Sequence, residues 1–127
     1  MARILVIDDE ESLRRMVRHA LEGEQHEVLD ADDGKTALEL IGKEPVDLVI
    51  TDLYMPNMDG IEFTIRLAKQ KPHPGILAMS GGGFMEKGSL LEIARRLGAD
   101  ATLAKPFTVR ELLDAVDDIL KKKGGKK

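Results

Sequence analysis

Three acidic stations and one lysine stand where apolar runs of this chain end. Asp8-Asp9 follow Ile4-Leu5-Val6-Ile7, Asp52 follows Leu48-Val49-Ile50-Thr51, and Lys105 follows Ala101-Thr102-Leu103-Ala104. A fold that brings the run ends together makes one site of them. Carboxylates that converge without a counter-ion repel one another, so the set calls for a bound cation beside the lysine, the equipment for handling a phosphoryl group. A carboxylate held rigidly next to a cation can attack phosphorus and form an aspartyl phosphate. Asp52 is the candidate nucleophile. It precedes Leu53-Tyr54-Met55-Pro56-Asn57-Met58-Asp59-Gly60, a loop whose proline and glycine can fix an unusual backbone path. An aspartate after a strand most often serves a turn or a helix cap; the company of the other stations turns the reading toward chemistry.

Asp8 and Asp9 open a helical segment, where the helix dipole favours negative charge. Two adjacent carboxylates aimed at a third ask for more than that. Magnesium takes one or two carboxylates, keeps several waters and bridges to phosphate oxygens, which suits this sparse set better than the roughly six to eight ligands of calcium. Mg²⁺ is the expected cofactor, with Asp9 as a direct ligand and Asp8 acting through water, because neighbours on a turn cannot face an ion equally. Ser80 can donate its hydroxyl to a phosphoryl oxygen or cap the loop that follows, and Lys105 can face the phosphoryl group or be a solvated edge charge. Lys105-Pro106 also admits a cis peptide. Gly81-Gly82-Gly83 reads as a flexible connection, since the chain has neither a G-x-x-x-x-G-K-[ST] motif nor G-x-G-x-x-G after its first strand.

The elements that must position these residues follow from periodicity. Strands are expected at Arg3 to Ile7, Glu27 to Ala31, Asp47 to Thr51, Gly75 to Ser80 and Asp100 to Ala104. Two of them are continuously apolar, as strands covered on both faces must be. A first helix presents Leu13, Met16, Val17, Ala20 and Leu21 and stops at Gly23, a second follows Asp33 with Ala37, Leu38 and Ile41, and a third carries Ile61, Ile65 and Ala68. The last two begin with capping boxes, Ser89 to Glu92 and Thr108 to Glu111, and the final helix is expected to bury Val109, Leu112, Leu113, Val116 and Leu120. Five strands each followed by a helix predict an α/β fold, a (βα)₅ doubly wound parallel sheet whose ligands sit beyond the carboxyl ends of the strands. Asp8-Asp9, Asp52, Ser80 and Lys105 all fall there.

The 127 residues, 43% apolar, fit one domain at residues 1–120. No stretch reaches the roughly 18 apolar residues of a membrane span, and the start is a charged strand instead of a signal peptide, which points to the cytoplasm. With no cysteine and three scattered histidines, any metal is a hard cation held by oxygen. Five of the 19 basic residues lie in the last seven positions, so residues 1–120 hold 14 basic against 23 acidic side chains. An acidic body is a poor surface for duplex DNA, and no DNA binding is expected of this chain. The lysine-rich tail, 121–127, reads as a disordered, solvated end.

Taken together, Asp8-Asp9, Asp52 to Gly60, Ser80 and Lys105-Pro106-Phe107 resemble the receiver domain of two-component response regulators, over about residues 3 to 120. The resemblance is to the stand-alone kind, like chemotaxis or phosphorelay regulators, and it implies the flavodoxin-like strand order 2-1-3-4-5. It also implies that Asp52 accepts a phosphoryl group from a sensor histidine kinase or a histidine phosphotransfer protein. Mg²⁺ would be bound by Asp9, Asp52 and the backbone carbonyl of Tyr54. Lys105 would pair with phosphoryl oxygens, Ser80 would move to hydrogen-bond one, and Ser80, Gly81, Thr102 and Pro106 would line the switch. Such a protein phosphorylates and dephosphorylates itself without turning over a metabolite. It signals to a protein target through the face of the fourth helix, fifth strand and fifth helix, as a monomer or a phosphorylation-dependent dimer. Two features depart from the family pattern. Thr102 stands where the family often has the aromatic relay, and the span from Ser80 to Lys105 is a few residues longer than usual, with Phe84 either an exposed contact or part of the core. Three competing readings are a constitutive interaction module, a fragment of a larger regulator and a magnesium-dependent phosphohydrolase. The last commonly has a second aspartate where this chain has Tyr54.

Overall fold

The computed structural model describes residues 2–53, 60–70, 72–81, 92 and 95–124. Along the chain these form β1 (Arg3–Ile7), α1 (Glu11–Gly23), β2 (Glu27–Ala31), α2 (Gly34–Lys43), β3 (Leu48–Asp52), α3 (Gly60–Ala68) and β4 (Gly75–Gly81). A helical stretch at residue 92 and residues 95–97 (α4), β5 (Ala101–Lys105) and α5 (Val109–Gly124) complete the order. The strands make one parallel sheet in the order β2-β1-β3-β4-β5, as the resemblance implied.

Strand side chains alternate between faces, and the sheet divides its apolar residues accordingly. Ile4, Val6, Leu48, Ile50, Leu77 and Met79 pack with Val17 and Leu21 of α1 and Leu112, Val116 and Ile119 of α5. Leu5, Ile7, Val49, Ile76 and Ala78 pack on the other face with Ala37 of α2 and Phe63 and Leu67 of α3. β1 and β3 read as unbroken apolar runs because helices cover both of their faces. Continuing the first alternation by two residues leads to Asp8 after Val6, Asp52 after Ile50 and Lys105 after Leu103. The chemistry-bearing residues therefore extend one face of the sheet past the end of its core.

Several boundaries differ from the sequence expectation. Asp47 and Asp100 precede their strands instead of opening them, and each uses its carboxylate on a neighbouring strand. Asp47 accepts the Arg3 N–H at 2.9 Å, and Asp100 accepts the Ile76 N–H at 2.8 Å. At the other end Asp52, Gly81 and Lys105 are the last residues of their strands, not the first of loops. Gly23 remains helical; the left-handed residue after α1 is Gln25, with φ of 69°. On α3 the buried stripe is Phe63, Thr64 and Leu67, while Ile61 and Ala68 are only partly buried. Thr64 can be buried because its hydroxyl donates to the Gly60 carbonyl at 2.7 Å within the same helix.

In α5, Leu112, Val116 and Ile119 are the buried residues, and Val109, expected inside, is 45% exposed. The capping box at its start is present in both directions. The Thr108 N–H donates to Glu111 Oε1 at 2.8 Å, and the Glu111 N–H donates to Thr108 Oγ1 at 3.0 Å. Lys121, Lys122 and Lys123, expected in a disordered tail, form the last turn of this helix, where the dipole favours cations. The Ser89 capping box, Tyr54 and Phe84 lie outside the described residues.

Gly60 ties α3 to the strand that carries Asp52. A Cβ at this position would overlap the Asp52 carbonyl oxygen and stand 2.6 Å from Leu53 Cα, so only a hydrogen fits between them. Gly60→Ala is expected to destabilise the fold by about 2 kcal/mol or more, the scale of overpacking against backbone. Urea unfolding monitored by circular dichroism checks this, and an unchanged midpoint would mean the helix can retreat freely.

Candidate metal and phosphoryl site

Asp8 is buried and bonded on every side. Its N–H donates to the Ala31 carbonyl at 3.2 Å, which ties the end of β1 to β2. One carboxylate oxygen, Oδ1, accepts the Glu10 N–H at 2.8 Å, closing the turn into α1. The other, Oδ2, accepts from Lys105 Nζ at 2.9 Å, and the Asp8 carbonyl accepts from Arg14 Nη1 at 2.7 Å. Asp9, by contrast, is exposed, and its carboxylate has no hydrogen-bond partner among the described residues.

Asp52 is 7% exposed at the end of β3. Its backbone is fixed by the ladder to β4, by the Thr51 hydroxyl donating to its carbonyl at 3.0 Å and by the close approach of Gly60. Lys105 Nζ donates to Asp52 Oδ2 at 2.9 Å as well as to Asp8, so one ammonium on β5 bridges β1 and β3. Gly81 pairs with Lys105 in the β4–β5 register and contributes no side chain at that end of the intervening strand. Burial pushes the Lys105 ammonium down, but its hydrogen bonds to Asp8 and Asp52 and their negative charges outweigh that, leaving its pKa raised above the ordinary 10.5. Lys105 is thus a permanent cation at neutral pH.

Ligand oxygens of Asp8, Asp9 and Asp52 lie within 4.8 Å of one another. Against three carboxylates the described residues set one ammonium. Such an excess of negative charge, partly sealed from water, fits a hard divalent cation held by oxygen. Both carboxylate oxygens of Asp8 are already engaged, whereas the exposed Asp9 carboxylate has no hydrogen-bond partner among the described residues.

Ser80 is buried next to the end of β4, one residue past Met79, the register partner of Asp52. Thr102 is half-buried in the middle of β5, paired with Ala78. The Lys105-Pro106 peptide is cis. A groove of about 310 Å³ lined by Glu10, Leu13, Met16, Lys105, Pro106 and Phe107 opens beside the lysine. The structure brings together Asp8, Asp9, Asp52 and Lys105, the four charges read from the strand ends. Sequence reasoning placed Lys105 against phosphoryl oxygens and did not foresee that the ammonium rests between two aspartates. It also missed Arg14, whose bond to a backbone carbonyl leaves no pattern in the residue types.

A parallel sheet ordered 2-1-3-4-5, with an acidic cluster and a lysine at its carboxyl edge, defines a flavodoxin-like doubly wound fold. The chain belongs to the response regulator receiver domain family, whose model matches residues 4–117. It is 31% identical to the sporulation initiation phosphotransferase F of Bacillus subtilis, covering 93% of each chain. It is 36% identical to the alkaline phosphatase synthesis transcriptional regulatory protein PhoP of the same organism. That match takes in 94% of this chain and 49% of PhoP, so the chain spans about half the length of such transcriptional regulators. Among solved structures, the receiver domain of NtrX from Brucella abortus matches with a TM-score of 0.86 at 31% identity, covering 93% of this chain and 98% of that one. The chemotaxis protein CheY4 of Vibrio cholerae matches at 0.82 and 32%, covering 94% and 98%. Receiver domains are phospho-accepting switches of two-component signal transduction and not metabolic enzymes; they bind Mg²⁺ at an acidic pocket and work with histidine kinases or phosphotransfer proteins. Among the described residues no helix is long and apolar enough to cross a membrane.

Two outcomes follow from the charge balance. Mg²⁺ at ten times its Kd is expected to stabilise the fold by about 1.4 kcal/mol through mass action, an increment that Asp9→Asn loses; thermal unfolding with and without the ion measures it. Lys105→Met removes the ammonium that Asp8 and Asp52 share, and a loss of about 3 kcal/mol is expected in chelator. Urea unfolding tests this, and a variant as stable as the parent would show that the bridge contributes nothing.

Proposed function

We infer that this chain accepts a phosphoryl group on Asp52 in a Mg²⁺-dependent reaction and so changes its affinity for a protein partner. The observation that carries the reading is the Lys105 ammonium held at 2.9 Å from both Asp8 and Asp52 beside a third carboxylate. A carboxylate oxygen of Asp52 forms a bond to phosphorus while the donor's phosphorus–nitrogen bond breaks, and the electron pair leaves with the imidazole of a phosphohistidine. Asp9, Asp52 and the Tyr54 carbonyl would hold Mg²⁺, with Asp8 acting through water, and the bound ion would supply positive charge to balance a phosphoryl dianion in this acidic cleft.

The chain's own groups do the rest. Asp52 is held by β3, Thr51 and Gly60, so the nucleophile is oriented before the donor arrives. Lys105 is drawn from the aspartates toward the incoming oxygens, and Ser80 donates its hydroxyl to one of them. Phosphorylation adds about −1.5 to −2 charge at one point, and the groups that turn toward it carry the switch. Moving an equilibrium from 1:99 to 99:1 takes about 5.5 kcal/mol, within reach of a few charge-assisted bonds that include Lys105 and the ion.

Supporting a partner on the β5 side, all five residues of β5 are only half-buried, and Val109 stands exposed at the start of α5. The output surface we assign is the one formed by α4, β5 and α5. With Thr102 in place of an aromatic side chain, the signal travels through Ser80, Lys105 and the strand itself. The groove by Pro106 and Phe107 gives a kinase or phosphotransfer protein a foothold beside the lysine. The same chemistry serves a single-domain regulator and the receiver unit of a longer one; the relatives include both proportions, at 93% and 49% of their length.

Incubation with acetyl phosphate followed by intact mass measurement tests the reading. A gain of one phosphoryl mass is expected in the parent with Mg²⁺, and none in chelator or in Asp52→Asn. A folded parent that gains nothing, with acetyl phosphate or with a histidine kinase, would sink it.

A further inference from the structure

Arg14 carries two disadvantages that α1 alone does not explain. It is a cation four residues into the helix, near the end where the dipole favours anions. Its Nε is buried and has no hydrogen-bond partner among the described residues, and a buried donor without an acceptor is destabilising. Its one side-chain hydrogen bond among the described residues is Nη1 to the Asp8 carbonyl, at 2.7 Å the shortest of the four such bonds that hold Asp8. That carbonyl belongs to the peptide unit between the two aspartates. Its orientation decides where the Asp9 Cα, and hence the Asp9 carboxylate, stands relative to Asp8 and Asp52.

We propose that Arg14 is a positioning residue for the metal site, and that its guanidinium locks the Asp8–Asp9 peptide so that the exposed Asp9 carboxylate faces the ion. Asp8 is already fixed at its N–H and at both carboxylate oxygens; its carbonyl is the remaining handle, and Arg14 takes it. Asp9 has no side-chain bond of its own among the described residues, so backbone orientation is what aims it. The inference rests on the reading of Asp8, Asp9 and Asp52 as the Mg²⁺ site.

The test is a Mg²⁺ titration of the full chain followed by backbone amide shifts, with unfolding midpoints measured in chelator. Arg14→Met keeps the apolar stem and removes the donor; Arg14→Lys keeps a charged donor within reach of the carbonyl. The expected result is a Kd about tenfold weaker or more for Arg14→Met, the scale seen when a partner that orients a metal ligand is lost. Arg14→Lys should stay within about threefold of the parent, and the metal-free midpoint of Arg14→Met should not fall in step with its affinity. A role in stability alone would lower the metal-free midpoint and leave the Kd of the folded protein unchanged, which would overturn the proposal, as would Arg14→Lys binding as weakly as Arg14→Met. Should Arg14→Met not fold, Arg14→Lys and Arg14→Gln are compared: Gln ends too short to reach the carbonyl, and equal Kd values for the two would overturn the proposal. A parent that binds no Mg²⁺ at all would instead mean that the reading of the site has failed.

Discussion

A single ammonium shared by two aspartates governs the arrangement of this protein. Lys105 reaches back from the end of β5 to Asp8, just past β1, and to Asp52, at the end of β3, at 2.9 Å each, so the carboxyl ends of three of the five strands must lie within one side chain's reach for the bridge to close. Parallel strands meet that requirement because their carboxyl ends share one edge, and right-handed crossovers place the helices out of the way on both faces. The site is therefore a property of the sheet's register. Each of the three residues continues the alternation of the apolar residues that pack under α1 and α5.

The same bridge leaves the site in electrostatic debt to a cation. Asp8 and Asp52 are largely removed from water, Asp9 is not, and the three carboxylates lie within 4.8 Å of one another. Burial raises the energy of unpaired charge steeply, whereas an exposed carboxylate waits at little penalty. The division between a buried, fully bonded Asp8 and an exposed Asp9 leaves one carboxylate tying the strand ends together and the other open to solvent.

Most of the fold was legible in the sequence because period-2 and helical patterns report burial, and burial organises a two-faced sheet. The strand order came from resemblance, since alternation says nothing about which strand lies beside which. Boundaries were misjudged where a polar side chain replaces a ladder bond: Asp47 and Asp100 look like strand starts but hydrogen-bond to the neighbouring strand from outside. On α3 two apolar stripes competed, and the pattern could not reveal that Thr64 satisfies its hydroxyl within the helix. At the site, Asp8, Asp9, Asp52 and Lys105 were readable as charges at strand ends. Arg14 was not, because its partner is a carbonyl that every residue possesses.

β5 is an edge strand, hydrogen-bonded to β4 alone, and all five of its residues are only half-buried. β1 and β3 are each laddered on both sides. The acidic half of the site is thus anchored to strands with a ladder on each side, and the basic half to a strand with a ladder on one side. In mechanical terms the bridge joins a doubly braced mount to a singly braced one.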